Sequence, residues 1–152
     1  MNGRPDATQA AGNGERFDPA GFFELARRVG HGRALGMEIS DAGDNWTELE
    51  LPWREELVGV SEAGILASGA IVSLIDTASG MSIWSAIGSF RPLVTLNLRI
   101  DYLRPALRGE TLYARCECSK LTRSIAFTRG FAHSGDAARP IAYSSGTFIL
   151  ND

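Results

Sequence analysis

ILASGAIVSLIDTASGMSIWSAIG, residues 65–88, is the longest apolar run in the sequence and contains a single ionisable residue, Asp76, near its middle. A run of about 20 apolar residues is long enough to cross a bilayer as a helix. A carboxylate is costly at the centre of a bilayer, however, and this run is rich in Gly and Ser and has no flanking cluster of Lys or Arg. The run therefore predicts a helix that is buried on all sides within a folded domain.

The composition indicates one globular domain. The 152 residues are 44% hydrophobic and 22% charged, and the formal net charge is −3. A chain of this length can bury enough surface for one core, and its charge gives no electrostatic reason to bind nucleic acid or an anionic membrane. We expect residues 1–16 to form a mobile tail and residues 17–152 to form the domain. Because the N-terminal segment lacks the apolar core of an export signal, we expect a cytoplasmic location.

The Cys and His residues do not form a recognisable site. Cys116 and Cys118 are two residues apart on a predicted strand, where a disulfide between them would be strained, so we interpret both as reduced packing residues. His31 and His133 are isolated, and neither has a Ser or Cys nucleophile at a recognisable spacing. The sequence therefore predicts no metal site and no cofactor.

The segments before the apolar run predict one helix and two strands. Asp18 and Pro19 are typical of a helix start, and the helix is expected to end at Gly30. Strands are predicted at residues 34–40 and 46–53, joined by the turn-forming segment DAGDN. We expect a structural role for the helix.

The segments after the apolar run alternate between apolar and polar residues, which is typical of half-buried strands. In residues 94–102 every even position is apolar and every odd position is polar. Three further strands are predicted at residues 112–119, 125–133 and 140–150. The consecutive late strands are expected to form an antiparallel meander. The sequence thus predicts an α+β fold in which one curved antiparallel β-sheet is wrapped around one long central helix.

Three motifs carry a resemblance to a known family. They are LIDTA at residues 74–78, the pattern N-x-x-x-D-Y-x-x-P-A at residues 97–106, and GTF at residues 146–148. Their order and spacing resemble the hotdog-fold acyl-CoA thioesterases of the phenylacetate-pathway (PaaI-like) group. The resemblance implies a hotdog fold, hydrolysis of an acyl-CoA or related thioester, and a homodimer or tetramer with the active site at a subunit interface.

The resemblance also implies catalytic roles for residues on the central helix. Asp76 would be the base or nucleophile, and the backbone amides at Ser68 and Gly69 would polarise the thioester carbonyl. The family has His-Gly-Gly where this sequence has Ala67, Ser68 and Gly69, and Ala67 can neither donate nor accept a side-chain hydrogen bond. The alternative function is therefore a catalytically weak or inactive acyl-CoA binding protein. The alternative role for Ser68 is that of a helix cap.

Four residues are expected to contact the substrate: Ser61, Ala67, Ser73 and Thr95. Ser61 and Thr95 map onto polar residues that some relatives use, with Thr95 facing the site across the dimer. The alternatives are a turn residue for Ser61 and a solvent-facing strand residue for Thr95. Ser73 belongs to a stripe of small residues that leaves room beside Asp76, and the other members are Gly69, Ser79 and Gly80. The acyl chain is expected in an apolar slot lined by Met81, Trp84 and Phe90, which could equally be core residues.

Overall fold

The computed structural model describes residues 17–26 and 30–151, so the tail predicted for residues 1–16 lies outside the described residues. The helices are α1 (Pro19–Ala26), α2 (Gly30–Leu35) and α3 (Ser68–Ile87). The strands are β1 (Glu38–Ala42), β2 (Trp46–Leu51), β3 (Val58–Val60), β4 (Ile65–Leu66), β5 (Leu93–Tyr102), β6 (Leu112–Leu121), β7 (Ile125–His133) and β8 (Ala142–Leu150).

One six-stranded antiparallel sheet, in the order β1-β2-β6-β7-β8-β5, wraps around α3. Helix α3 is long and apolar enough to cross a membrane, but 61% of its apolar window is buried inside the fold. Leu74, Ile75 and Ala78 have no exposed surface, because they face the sheet. The α+β hotdog architecture predicted from the sequence is confirmed.

The ends of α3 are set by the backbone. Gly88 adopts a left-handed conformation (φ 74°), and its amide donates to the carbonyl of Trp84 at 2.8 Å, which ends the helix as a glycine C-cap does. The helix begins at Ser68 rather than at Ile65. Ile65 and Leu66 instead form β4, which pairs with β3 in a small hairpin that the sequence did not predict.

The N-terminal segment contains two helices. The carboxylate of Asp18 accepts a hydrogen bond from the amide of Ala20 at 3.1 Å, which confirms the predicted helix start. The prediction of a strand at residues 34–40 is wrong in its first half, because Ala34 lies in α2 and the strand β1 begins at Glu38. The guanidinium of Arg54 donates to the carbonyl of Ala34 at 2.6 Å, a tertiary contact that satisfies the end of this short helix.

Strand β5 lies at the edge of the sheet beside β8, whereas a simple meander would place it beside β6. Thr95 pairs with Phe148 and Asn97 pairs with Thr147, so Leu96 is an extra residue that forms a β-bulge. A bulge changes which side chains face each side of a sheet. The uniform alternation predicted for residues 94–102 is therefore interrupted.

The bulge divides β5 into two halves. Odd-numbered residues face the core in the first half, and even-numbered residues face it in the second. Before the bulge the odd residue Thr95 faces the core, and after it the even residues Leu98 and Ile100 do so. Val94 and Leu96 are consequently 52% and 56% exposed, although the sequence pattern predicts that they face the core. The edge of the sheet thus carries exposed apolar side chains.

Gly130 on β7 provides a test of the sheet packing. A Cβ atom at this position would lie 2.5 Å from the sulfur of Cys116 and 2.7 Å from the carbonyl oxygen of Arg115. We expect Gly130→Ala to lower the free energy of unfolding by about 1–3 kcal/mol, because a backbone atom of the neighbouring strand has to move. Urea unfolding measures this change.

The matched control is Gly69→Ala, which adds the same methyl group at a position with no atom within 4 Å of the new Cβ. We expect no loss of stability there, since Ala is favoured over Gly in a helix. Equal unfolding free energies for the two variants would contradict the packing described around Gly130.

Candidate active site

A pocket of about 330 Å³ lies beside the middle of α3, where α1, α2 and β5 meet it. Among the described residues, most of the lining is apolar and two of the lining side chains are ionisable, Asp76 and His31. Pockets of this size with an apolar lining and a few polar groups are typical of small-molecule sites.

The carboxylate of Asp76 is half-buried and is held by Thr95. The hydroxyl of Thr95 donates to Oδ1 of Asp76 at 2.9 Å, and both side chains line the pocket. Thr95 can make this contact because the bulge at Leu96 turns it inward. The resemblance implies that Thr95 faces the site across a dimer, whereas this hydrogen bond is made within one subunit.

Ser73 connects α3 to His31. The hydroxyl of Ser73 donates to the carbonyl of Gly69 at 3.0 Å and also lies 2.9 Å from Nε2 of His31. Ser73 precedes Asp76 by three residues, so the two lie on the same side of the helix. His31 is isolated in the sequence, because it lies 42 residues from Ser73, and no local spacing links the two.

The opposite end of the pocket is aromatic. Phe22 of α1 packs edge-on against Trp84 of α3, with their ring centroids 4.7 Å apart. Met81 and Trp84 line the pocket. Phe90, which was expected beside them, does not line it but packs against Trp84 with a centroid distance of 4.9 Å. Helix α1 was expected to have only a structural role, but Phe22 and Phe23 also line the pocket.

The N-terminus of α3 lies away from this pocket. Ala67 occupies the N-cap position, so Ser68 is the first helical residue and its alternative role as the cap is wrong. The amides of Ser68 and Gly69 have no carbonyl partner one turn back, as in the first turn of any helix. Asp76 is eight residues further on, about 12 Å along the axis at about 1.5 Å per residue. One subunit therefore does not bring these amides to the carboxylate.

The surroundings of Ser68 form a second, more open pocket. The hydroxyl of Tyr102 donates to the carbonyl of Ser68 at 3.5 Å, and burial raises the pKa of Tyr102. Ser61 lies in an exposed turn between β3 and β4, where its carbonyl accepts a hydrogen bond from Arg108 at 3.3 Å. Neither Ser61 nor Ala67 lines the pocket that contains Asp76.

The stripe of small residues on α3 is divided by the fold. Gly80 lines the pocket, while the hydroxyl of Ser79 is buried against the sheet.

Within residues 17–26 and 30–151, no group of three or more His, Cys, Asp or Glu side chains is arranged to hold a metal ion.

Comparisons with known proteins identify the family to which the chain belongs. The sequence profile described as "Thioesterase superfamily" matches residues 63–141, which include α3 and β5 to β7. The chain belongs to the thioesterase superfamily. Over 134 residues it is 28% identical to the medium/long-chain acyl-CoA thioesterase YigI of Escherichia coli K12, covering 78% of this chain and 83% of YigI.

Solved structures extend the similarity over most of the chain. A crystal structure of a Pseudomonas aeruginosa protein is 34% identical with a TM-score of 0.75, covering 86% of this thioesterase-superfamily chain and 95% of that one. The PaaI protein of the Escherichia coli phenylacetic acid degradation operon is 19% identical with a TM-score of 0.70, covering 79% and 83% respectively. The likeness to PaaI shows a common fold.

The cysteines of this thioesterase-superfamily member are packing residues, as the sequence predicts. Cys116 and Cys118 are free and buried, and neither lines the pocket that contains Asp76. The thiol of Cys116 lies 3.7 Å from the carbonyl oxygen of Ile75. Burial raises the pKa of Cys116 to about 11 and also raises the pKa of Cys118.

The raised pKa values predict low thiol reactivity in the folded protein. Because the thiolate is the nucleophilic form, both cysteines should react slowly with Ellman's reagent at about pH 8, and the reactivity of Cys116 should rise only as the pH approaches about 11. In guanidinium chloride the same assay should count both thiols at once. Rapid reaction of a stoichiometric thiol in the native protein would show that one cysteine is accessible and activated.

Proposed function

We propose that the protein hydrolyses the thioester bond of an acyl-coenzyme A, with Asp76 as the general base. The observation that carries this proposal is a half-buried carboxylate, fixed by Thr95, at the centre of a largely apolar pocket. Membership of the thioesterase superfamily and the similarity to an acyl-CoA thioesterase support the reaction class. The substrate itself brings the coenzyme A, and the proposed reaction uses no other cofactor.

The pocket fits the requirements of this reaction. Thr95 binds one carboxylate oxygen of Asp76, which orients the carboxylate and leaves the other oxygen to accept a proton from water. The acyl chain would lie in the aromatic end formed by Phe22, Met81 and Trp84. This placement brings the thioester carbonyl beside Asp76 and favours apolar acyl groups.

The oxyanion donors in this proposal come from a second subunit. The free amides of Ser68 and Gly69 suit a carbonyl oxygen that gains negative charge. Because about 12 Å of helix separates Ser68 from Asp76, one subunit cannot direct both at the same carbonyl. A homodimer in which the N-terminus of α3 from one subunit approaches Asp76 of the other would complete the site.

Strand β5 is the proposed dimer contact. It is ten residues long, and on the side away from β8 no strand of the described residues pairs with it. Long exposed edges with apolar side chains favour pairing with another chain. Val94 and Leu96 are exposed at this edge. Antiparallel pairing of β5 with β5 of a second copy would join the two sheets, and two such dimers could form a tetramer.

A binding protein without turnover is the second candidate function. It is favoured by Ala67, which places a methyl group at the N-cap, where the family has an imidazole. Tight binding of acyl-CoA without release of thiol would support this alternative and would contradict the enzyme.

The central test is Asp76→Asn. This change retains the shape of the side chain and its hydrogen bond from Thr95 but removes the base, so we expect kcat to fall by about 100-fold or more. Release of free thiol from a panel of acyl-CoAs measures the rate. Asp41→Asn is the matched control, because Asp41 is an exposed carboxylate on β1, at the opposite edge of the sheet from β5.

The expected result for Asp41→Asn is a wild-type rate. Loss of activity in both variants would indicate a general effect of charge, and full activity in Asp76→Asn would contradict the proposed base.

The dimer is tested by Leu96→Lys, which places a charge on the apolar edge of β5. We expect weaker dimerisation and a parallel loss of turnover, because the second subunit supplies the oxyanion donors. Analytical ultracentrifugation over a concentration series measures the dimer dissociation. Leu121→Lys changes an exposed leucine at the end of β6 and should leave both properties unchanged. A monomeric wild-type protein with full activity would overturn the two-subunit site.

A further inference from the structure

His31 is the second ionisable side chain of the pocket, and the function proposed above assigns it no role. It lies on the six-residue helix α2, and it is exposed to solvent. The carbonyl of Ala34 on this helix accepts a hydrogen bond from Arg54, which ties α2 to the segment after β2.

The hydrogen bonds of Ser73 determine which ring nitrogen of His31 can exchange a proton. A serine hydroxyl has one proton to donate. Since that proton is directed at the carbonyl of Gly69, Ser73 accepts at its oxygen from Nε2 of His31, 2.9 Å away. Nε2 is therefore engaged with Ser73, and Nδ1 is the ring nitrogen that remains available to the substrate.

The order of side chains along α3 places His31 beside the leaving group. From Asp76, the aromatic end at Trp84 lies about 12 Å towards the C-terminus of the helix, and Ser73 lies about 4.5 Å in the opposite direction. With the acyl chain at Trp84 and the carbonyl at Asp76, the thiol half of the substrate extends past Ser73 towards His31. This end of the pocket is also the exposed end, where a bulky polar thiol can extend into solvent.

We propose that His31 is a catalytic residue that donates the proton on Nδ1 to the sulfur of the departing thiol. The inference rests on the thioesterase activity proposed above. Asp76 takes a proton from water as the water oxygen bonds to the carbonyl carbon. The carbon–sulfur bond then breaks with its electron pair on sulfur, and the sulfur takes the proton from His31. Transfer of the proton from Asp76 to His31 through water restores both groups, and the products are one acid and one thiol.

The test compares His31→Gln with the wild type on two thioesters of the same acyl group. One has an alkyl thiol leaving group, and the other has para-nitrothiophenol, whose thiolate is stable without a proton. General acid catalysis contributes about 100-fold or more. We expect kcat to fall by about that factor for the alkyl thioester and by less than about threefold for the nitrophenyl thioester.

The matched control is Arg33→Gln, a change at an exposed residue of the same helix that does not line the pocket. It should leave both rates unchanged. Thermal unfolding of each variant shows whether the fold is retained. If His31→Gln does not fold, Ser73→Ala provides a second test, because it removes the hydroxyl that fixes Nε2 and should produce a smaller loss with the same preference for the alkyl thioester.

Three outcomes would overturn the proposal. Equal losses for the two thioesters would show that His31 acts on structure or binding, and unchanged rates would show that it takes no part. Both results leave the thioesterase activity and the role of Asp76 intact, since the wild type is active in each. A wild-type protein that releases no thiol from either ester would overturn the proposed function together with this inference.

Discussion

The hydrogen bond between Thr95 and Asp76 is the contact on which the candidate site depends. A carboxylate in the middle of an apolar helix is costly to bury without a hydrogen-bond donor. The donor comes from the edge strand of the sheet, at 2.9 Å, and it reaches the carboxylate only because the bulge at Leu96 reverses the orientation of β5. The same bulge turns Val94 and Leu96 outward, so the hydrogen bond in the core and the apolar edge have one structural cause.

The central helix and its carboxylate could be predicted because their signals are local. The apolar run at residues 65–88 and the single acid within it do not depend on the neighbours of the helix. The bulge could not be predicted, because the alternation in residues 94–102 is uninterrupted in the sequence. Its position is set by pairing with β8, which follows from the strand order of the whole sheet. A solvent-facing Thr95 was therefore a reasonable alternative from the pattern alone.

The N-terminal region shows a second limit of sequence reasoning. The prediction ended one helix at Gly30, began a strand at Ala34 and assigned residues 31–33 to neither, since a six-residue helix has too short a pattern to recognise. The carbonyl of Ala34 near the end of α2 accepts a hydrogen bond from Arg54, a residue 20 positions away. Because α2 was not predicted, neither was the contact between His31 and Ser73. The resemblance indicated from the sequence that a family histidine is replaced at Ala67. The sequence did not indicate that His31 lines the pocket.

The geometry of α3 also separates the proposed oxyanion donors from the proposed base, although the sequence places both on one helix. Ser68, Gly69 and Asp76 are close in the chain, but a helix is rigid and holds the first turn about 12 Å from the carboxylate. If both ends act on one thioester, they belong to different subunits. Strand β5 then has two roles, because it positions Asp76 through Thr95 and presents the edge that a second copy would pair with. A change in the bulge would therefore alter the position of the base and the assembly together.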